Sequence, residues 1–453
     1  MAAAVTAAES GATVTVFEAT PTLGGRARAF TAKGPDGADQ TLDNGQHILI
    51  GAYSETLKMM RHVGIDLDEC LLRLPLAMPY PDGSGLQTPP WASSLPAPLN
   101  AVAAIATARG WHWRDKLALV KASMGWQRAR FQCAPMLSVA ELCARLPSRV
   151  MDDLIEPLCV SALNTPVQAS SAQVFLRVMQ DALFGQGFAG FGASDLLLPR
   201  KDLSQLFPEA AAHWLQRRHG DRVQLRRSAR VQSLSNTGTQ WCLSHQACGA
   251  THSECFDQVI WATSARPAAQ AMLNAALQAD LPESSRSALR RWAAIAGALP
   301  FTAITTVYAW SRGARLGAPM LALRASPNAQ QAPAQFVFDR GQLNPHDPAA
   351  QGVLAFVVSA SEGDRADLQE RVLRQAASQL GLSELQPIQT VVEKRATFAC
   401  IPGLLRPDLE IAPGLWAAGD HVQGPYPATL EGAVRSGVAA ASAICTAQGQ
   451  AKG

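Results

Sequence analysis

Residues 12–28 read ATVTVFEATPTLGGRAR, and the fold turns on them. Thr13–Phe17 is an apolar, β-branched run, the composition of a buried strand, and it closes on Glu18. An acid at the carboxyl end of such a strand is placed to accept hydrogen bonds from ribose hydroxyls, as in the second strand of a dinucleotide-binding unit. Gly24 and Gly25 follow. Glycines there permit backbone approach to a diphosphate, and the guanidinium of Arg26 or Arg28 can pair with its charge. A solvated carboxylate and a turn with surface arginines would leave the same letters, so neither signal decides alone.

Composition narrows the setting. The chain has 453 residues, 48% of them hydrophobic and only 17% charged, enough for two domains and a large core. Its net charge of +3 comes from 39 basic against 36 acidic residues, a balance that argues against a nucleic-acid partner. The longest apolar candidate, IAGALPFTAITTVYAW (Ile295–Trp310), holds Pro300 and several threonines and reads as a buried strand pair, not a membrane span. No Lys or Arg precedes Arg26, unlike a secretory signal. Nine cysteines without CxxC spacing suit a reducing cytoplasm and free thiols. CLSHQACGATHSEC gathers Cys242, His245, Cys248, His252 and Cys255. That spacing fits no paired-ligand zinc pattern, and the flanks alternate like strands, so the expectation is a hairpin with no metal.

Outward from the opening stretch, alanine-rich residues 1–10 read as a helix closed by Gly11. The block from Pro75 to Pro199 has apolar residues at three- and four-residue steps and reads as mostly helical. After Leu203 strands return: RVQLRRSARVQSLSN, QWCLSHQ and FDQVIWAT, then FTAITTVYAW, AQFVFDR and GVLAFVVSA. Helices are expected at about Arg266–Trp292 and Arg365–Leu380. The implied organisation is a cofactor-binding domain in three pieces (1–70, 206–285, 396–447), a substrate domain in two (71–205, mostly helical, and 286–395), and a loose tail at 448–453.

Near the end, LWAAGDHVQGPYPATLEGAVRSG has a strand ending at Gly419 and Asp420, then a loop, then a helix starting near Thr429 and Leu430. The helix N-terminus offers unpaired N–H groups and a positive dipole end, which suit the electron-rich edge of an isoalloxazine ring. Asp420 can accept from ribityl hydroxyls. Together with Glu18, GGRAR and DNGQHIL, this pattern resembles the flavin-containing amine oxidase and phytoene desaturase superfamily. LDNGQHILIGAYSETL, EPLCVSALNTPVQASSAQVFLRVMQDALF and EKRATFACIPGLLRP are similar to the hydroxysqualene dehydroxylases, the squalene-associated FAD-dependent desaturases of hopanoid biosynthesis. The likeness runs over nearly the whole chain.

The resemblance implies an α/β fold, a Rossmann-like FAD-binding domain with a mixed, largely helical substrate domain. It implies an FAD-dependent oxidoreductase that reductively removes the hydroxyl of hydroxysqualene to give squalene. It also places Val231, in RRSARVQSL, where backbone groups hold the adenine. A C30 isoprenoid needs an apolar tunnel, for which Phe175, Phe184, Phe188 and Phe191 are candidates, though each taken singly reads more readily as ordinary core packing. The tryptophan-rich stretch Pro89–Lys116 reads either as a peripheral docking patch at the inner face of the cytoplasmic membrane or as a helix packed on its own domain. His47 and Tyr426 lie in segments expected near the flavin and are the candidate proton donors. Oligomeric state and electron source are not legible. A carotenoid or phytoene-type desaturase, or an amine oxidase-like flavoenzyme, is the nearest alternative; a non-catalytic polyprenyl-binding partner is the alternative of another class.

One departure bears on the opening stretch. Members of the superfamily begin with a strand and a GxGxxG loop, the acid following about 20 residues later. Only seventeen residues precede Glu18, and they hold a helix and part of a strand. The sequence therefore predicts that the first strand and the glycine loop are missing from this chain, through a start placed too far downstream or through true truncation.

Overall fold

Val14 and Val16 hold the chain extended, and in the computed structural model Val14–Phe17 runs parallel to Val223–Arg226, with Phe17 opposite Arg226. The structure describes residues 1–35, 37–92, 95, 98–247, 249–325 and 331–450. The helix before the strand, Ala2–Glu9, is followed by Gly11 at φ +93°, a conformation that favours glycine. It lies against the C-terminal helix Leu430–Gln450 so closely that a Cβ on Gly437 would stand 3.2 Å from the Ala3 nitrogen.

A second parallel pair joins Val259–Trp261 to Leu415–Ala417, with Glu410–Ala412 antiparallel on the far side of the latter. Parallel pairs need long crossovers, and both pairs here join strands from distant parts of the chain. The mixed α/β architecture expected from the sequence is what the chain adopts.

Behind these lies a five-stranded antiparallel sheet in the order Met320–Ala322, Phe336–Asp339, Val353–Ser361, Phe301–Trp310, Gln386–Phe398. Val353–Ser361 is buried on both faces, and its period of two divides them. Val353, Ala355 and Val357 join the main core; Leu354, Phe356 and Val358 pack with Leu368, Val372 and Ala376 of the helix Arg365–Leu380. The helical block is as expected, with Leu99–Thr107, Trp113–Arg128, Glu156–Leu163 and Ala172–Phe184 as its main helices.

Three expectations are corrected. Ile295–Trp310 is not a strand pair: residues to Gly297 finish the helix Glu283–Gly297, Pro300 stops it, and one strand, Phe301–Trp310, follows. The stretch expected to be helical over Arg266–Trp292 is interrupted: Ala265–Ala275 and Glu283–Gly297 are separate helices, with Pro282 preceding the second. Cys242 and Cys255, expected as free thiols, are joined by a disulfide. The hairpin Trp241–Ala247/Ala250–Phe256 forms as read, and its register puts these two cysteines opposite each other with Cα atoms 3.9 Å apart. His245 and His252 pair across the same ladder, rings stacked at 5.4 Å, while Cys248 lies outside the described residues. Among the described residues no three metal-binding side chains group together.

Candidate functional site

The Gly24–Gly25 turn is built for close approach. Gly24 has φ +110°, and a Cβ there would sit 2.4 Å from the Ala27 carbonyl oxygen. Gly25, at φ +61°, has open space where its side chain would be. The turn carries Arg26 inward, where Nη2 meets Asp420 Oδ1 at 2.6 Å and Nη1 donates to the Ala396 carbonyl. Asn44 Nδ2 donates to the Arg26 carbonyl at 3.2 Å and to Glu393 Oε2 at 3.3 Å. GGRAR, DNGQHIL, EKRAT and GDHVQG, far apart in the chain, thus meet at one place. Arg28 is half-buried like Arg26 but differs in its contacts: its guanidinium has no hydrogen bond or ion pair among the described residues.

Burial resists ionisation of Asp420, but Arg26 and His421 beside it outweigh that and hold its carboxyl below the usual range. His421 is buried, its Nδ1 3.8 Å from Asp420 Oδ1. A Cβ on Gly419 would lie 2.6 Å from that imidazole, so the glycine makes room for the ring. Arg406, from CIPGLLRP, clamps the loop that follows: Nη1 donates to the Val422 carbonyl at 2.9 Å and Nη2 to the Gly424 carbonyl. Nothing in the sequence pattern pointed to Arg406 as a loop clamp.

The loop ends at Ala428, whose φ of +58° is strained for a residue with a side chain. Thr429 then caps the helix Leu430–Gln450, its Oγ1 accepting from Gly432 N at 3.0 Å. The N–H groups of Leu430 and Glu431 have no acceptor among the described residues. Glu431 turns the other way and is completely buried. It accepts from Glu55 N at 3.1 Å, Thr56 N at 2.8 Å, Thr56 Oγ1 at 2.7 Å and Arg435 Nε at 2.7 Å. The helix Ser54–His62, which has no side-chain cap of its own, is thereby capped from the other end of the chain.

At the far side, Glu18 Oε1 accepts from Thr20 N at 2.7 Å and Thr20 Oγ1 at 2.8 Å; Oε2 accepts nothing among the described residues. The Glu18 carbonyl takes Ala229 N at 2.8 Å, which ties the acid to the strand that holds Val231. Val231 is half-buried beside a bulge at Gln232, where the ladder to Trp241–Ala247 slips. Glu18 and Val231 are therefore neighbours, and Arg26, Asp420, Thr429 and Leu430 gather separately around the C-terminal loop.

His47 Nδ1 lies 2.8 Å from the Gly45 carbonyl, an acceptor only, so that nitrogen carries the proton. Burial pushes the imidazole below its ordinary range. Neutral and so tautomerised, His47 presents a lone pair at Nε2. Tyr426 is half-buried between Arg435, 4.9 Å over its ring, and Arg177, at 5.4 Å, with Tyr53 edge-on at 6.5 Å. Burial, then Asp181, raises its phenol. Of the four phenylalanines, Phe175 is fully buried against Trp126 and is core, and Phe184 is 39% exposed beside Phe131. Phe191 packs with Leu49, and Phe188 lies under Arg61 at 4.4 Å.

Residues 1–445 match the family of flavin containing amine oxidoreductases, and the chain belongs to that family. It is 26% identical to the hydroxysqualene dehydroxylase of Rhodopseudomonas palustris over 480 aligned residues, 99% of this chain and 96% of that protein. The fold is similar to an oxidoreductase from Methanosarcina mazei (TM-score 0.66, 14% identity, 98% of this chain and 97% of that one). It is also similar to putrescine oxidase bound to putrescine (0.63, 15%, 98% and 96%) and to reduced UDP-galactopyranose mutase (0.65, 12%, 98% and 93%).

The cofactor is FAD, and the residues present fit it. Besides the cradle at Gly24–Gly25, the buried atoms Gln46 Oε1, Thr306 Oγ1 and His421 Nε2 lack hydrogen-bond partners among the described residues. Thr306 Oγ1 lies 3.9 Å from where a Cβ of Gly45 would stand, beside the junction. Uncommitted acceptors at Glu18 and donors at Leu430 and Glu431 suit ribose hydroxyls at one end and an electron-rich ring edge at the other.

Proposed function

We propose that this oxidoreductase reductively dehydroxylates hydroxysqualene to squalene. The supporting observation is the near-full-length likeness to a protein named hydroxysqualene dehydroxylase, together with the meeting of the segments that carry it around Arg26 and Asp420. When bound and reduced, FAD supplies a hydride. In that reaction the C–O electron pair would leave on oxygen, the oxygen would take a proton and depart as water, and the hydride so supplied would take its place on carbon. The protein's share is to hold that proton and keep bulk water away.

In this reading Glu18, Val231, Gly24, Gly25 and Arg28 hold the dinucleotide part. Asp420, Thr429 and Leu430 hold the flavin part, and Arg26 fixes Asp420. Tyr426 is the proton donor: its raised phenol stays protonated, and Arg177 and Arg435 beside it favour the phenolate left after donation. His47, neutral with its proton committed to Gly45, orients a hydroxyl as acceptor. The C30 substrate and a peripheral place at the inner face of the cytoplasmic membrane belong to the same reading. No described helix is long and apolar enough to cross a membrane.

The test is an anaerobic single turnover of purified, dithionite-reduced protein with hydroxysqualene. Squalene forming as the flavin absorbance returns is the expected result. Phytoene desaturation by the oxidised protein, without squalene, would move the assignment to a desaturase. A preparation that takes up no flavin would leave only the polyprenyl-binding alternative. Tyr426→Phe should lower the single-turnover rate about 100-fold with flavin content unchanged.

A further inference from the structure

Six of the eleven exposed large hydrophobic side chains among the described residues fall between Trp91 and Met124. The helix Leu99–Thr107 has no charged residue. Ala101, Ala103 and Ala104 face inward, and Leu99 and Val102 are about half exposed. The next helix, Trp113–Arg128, buries Leu119 and Trp126 and turns Trp113 (68% exposed), Leu117 and Met124 outward along one stripe. Trp91, in the turn Pro90–Ala92 that packs on the helix Leu99–Thr107, is 66% exposed. Of the three tryptophans in this stretch only Trp111 packs on its own domain.

The charge carried by this stretch is nearly all of one sign. Residues 91–130 hold Arg109, Arg114, Lys116, Lys121, Arg128 and Arg130 against a single acid, Asp115, which is buried. We propose that this face docks on an anionic phospholipid bilayer, with Trp91, Trp113 and Leu117 entering the interface and Arg114, Lys121 and Arg128 lying among the headgroups. Exposed tryptophans beside basic side chains match the boundary between acyl chains and anionic headgroups. A second copy of the chain fits poorly, because a two-fold contact would set the same cations against themselves. The face is also joined to the site: Asn100 Nδ2 lies 3.4 Å from Ser194 Oγ, in the loop before Leu196–Pro199, which pairs with Leu49–Ile50 just beyond His47. Delivery of an isoprenoid from the bilayer along this route rests on the function proposed above; the docking does not.

The test is flotation of the full FAD-loaded chain with vesicles of phosphatidylcholine alone or with about one quarter phosphatidylglycerol, at about 0.1 M and about 0.5 M salt. At low salt, binding to the anionic vesicles should exceed that to neutral ones at least about tenfold, and high salt should remove the difference. Trp113→Ser with Leu117→Ser should lower binding about tenfold with circular dichroism and flavin spectrum unchanged. Lys121→Glu with Arg128→Glu should abolish the preference for anionic lipid. Equal flotation with both vesicles, or serine variants that float like the wild type, overturns the proposal. So does a dimer of the wild type that the serine variants make monomeric. Turnover of detergent-dispersed hydroxysqualene reads the reaction independently of docking.

Discussion

The junction around Asp420 and the face around Trp113 are held by opposite means. At the junction, segments from both ends of the chain are crosslinked by directional polar contacts: Arg26 to Asp420, Asn44 to Glu393, Arg406 to the 422–424 loop, Glu431 to Thr56. At the face, two neighbouring helices rest on small and apolar side chains and leave large ones outside. Directional ties fix atoms to fractions of an ångström, which a rigid ring system needs; non-directional packing tolerates a fluid partner. The contrast can be broken most forcefully at Glu431. Removing its carboxylate in Glu431→Ala leaves the amides of residues 55 and 56 and Nε of Arg435 unanswered, a cost of about 3–5 kcal/mol. Chemical denaturation should show that loss, and Glu431→Gln, which keeps an acceptor, should lose about half as much.

Where the helical block meets the five-stranded sheet stands Asn164, of ALNTPVQASSAQ. It ends the helix Glu156–Leu163 in the left-handed conformation at φ +47°, and its Nδ2 donates to Thr302 Oγ1 and Thr397 Oγ1, both at 2.9 Å. Asn164→Ala should cost about 2–3 kcal/mol in denaturant unfolding, less than Glu431→Ala because hydroxyls, not a cation, are left unpaired. A loss within about 0.5 kcal/mol would mean the helical block and the sheet are joined by apolar packing alone.

Asp43 gives the junction a pH signature that the docking face lacks. Burial raises its carboxyl from 3.8 to about 6, only partly offset by Arg340, 3.7 Å away. A raised carboxyl favours the folded state while protonated, so its contribution is lost as pH climbs from 3.8 through 6. Between pH 5 and pH 7.5 the wild type should lose about 1.4 kcal/mol relative to Asp43→Asn, measured as the difference between their unfolding free energies. The asparagine keeps an acceptor for Leu203 N, now 2.8 Å from Oδ1. A pH-independent difference would show that Asp43 is solvated in the folded state.

The two regions were not equally legible in the sequence. The unbroken apolar run Val353–Ser361 and the stretch Arg365–Leu380 read as the strand and the helix they form, because local composition and burial agree there. Glu18, the two glycines and Asp420 stood out because each is a residue type that the proposed cofactor contacts ask for at that place. The split of Ala265–Gly297 into two helices was hidden among good helix formers. Ties between remote segments were invisible. Glu431 read as part of a flavin helix, though its carboxylate caps another helix, and Arg406 read only as a family letter. A partner hundreds of residues away leaves no local period. The outward turn of Trp113 against the inward turn of Trp111 was equally undetermined, since a composition of tryptophans does not say which face they take.

The smallest stability change, and the sharpest test of which junction contacts serve the protein and which serve its ligand, comes from comparing Arg26 with Arg28. Both letters of GGRAR suit a diphosphate. Arg26 is committed to Asp420 and to the Ala396 carbonyl, whereas Arg28 spends its guanidinium on no described residue. Arg28→Gln should therefore leave unfolding within about 0.5 kcal/mol of the wild type and raise the FAD dissociation constant about tenfold, by loss of one charge-assisted contact to phosphate. Arg26→Gln should do both kinds of harm, because Asp420 would lose its ion-pair partner inside the protein. Equal losses of FAD with equal losses of stability in the two variants would mean that Arg28 too is bound into the fold. A normal FAD affinity for Arg28→Gln would place the diphosphate elsewhere.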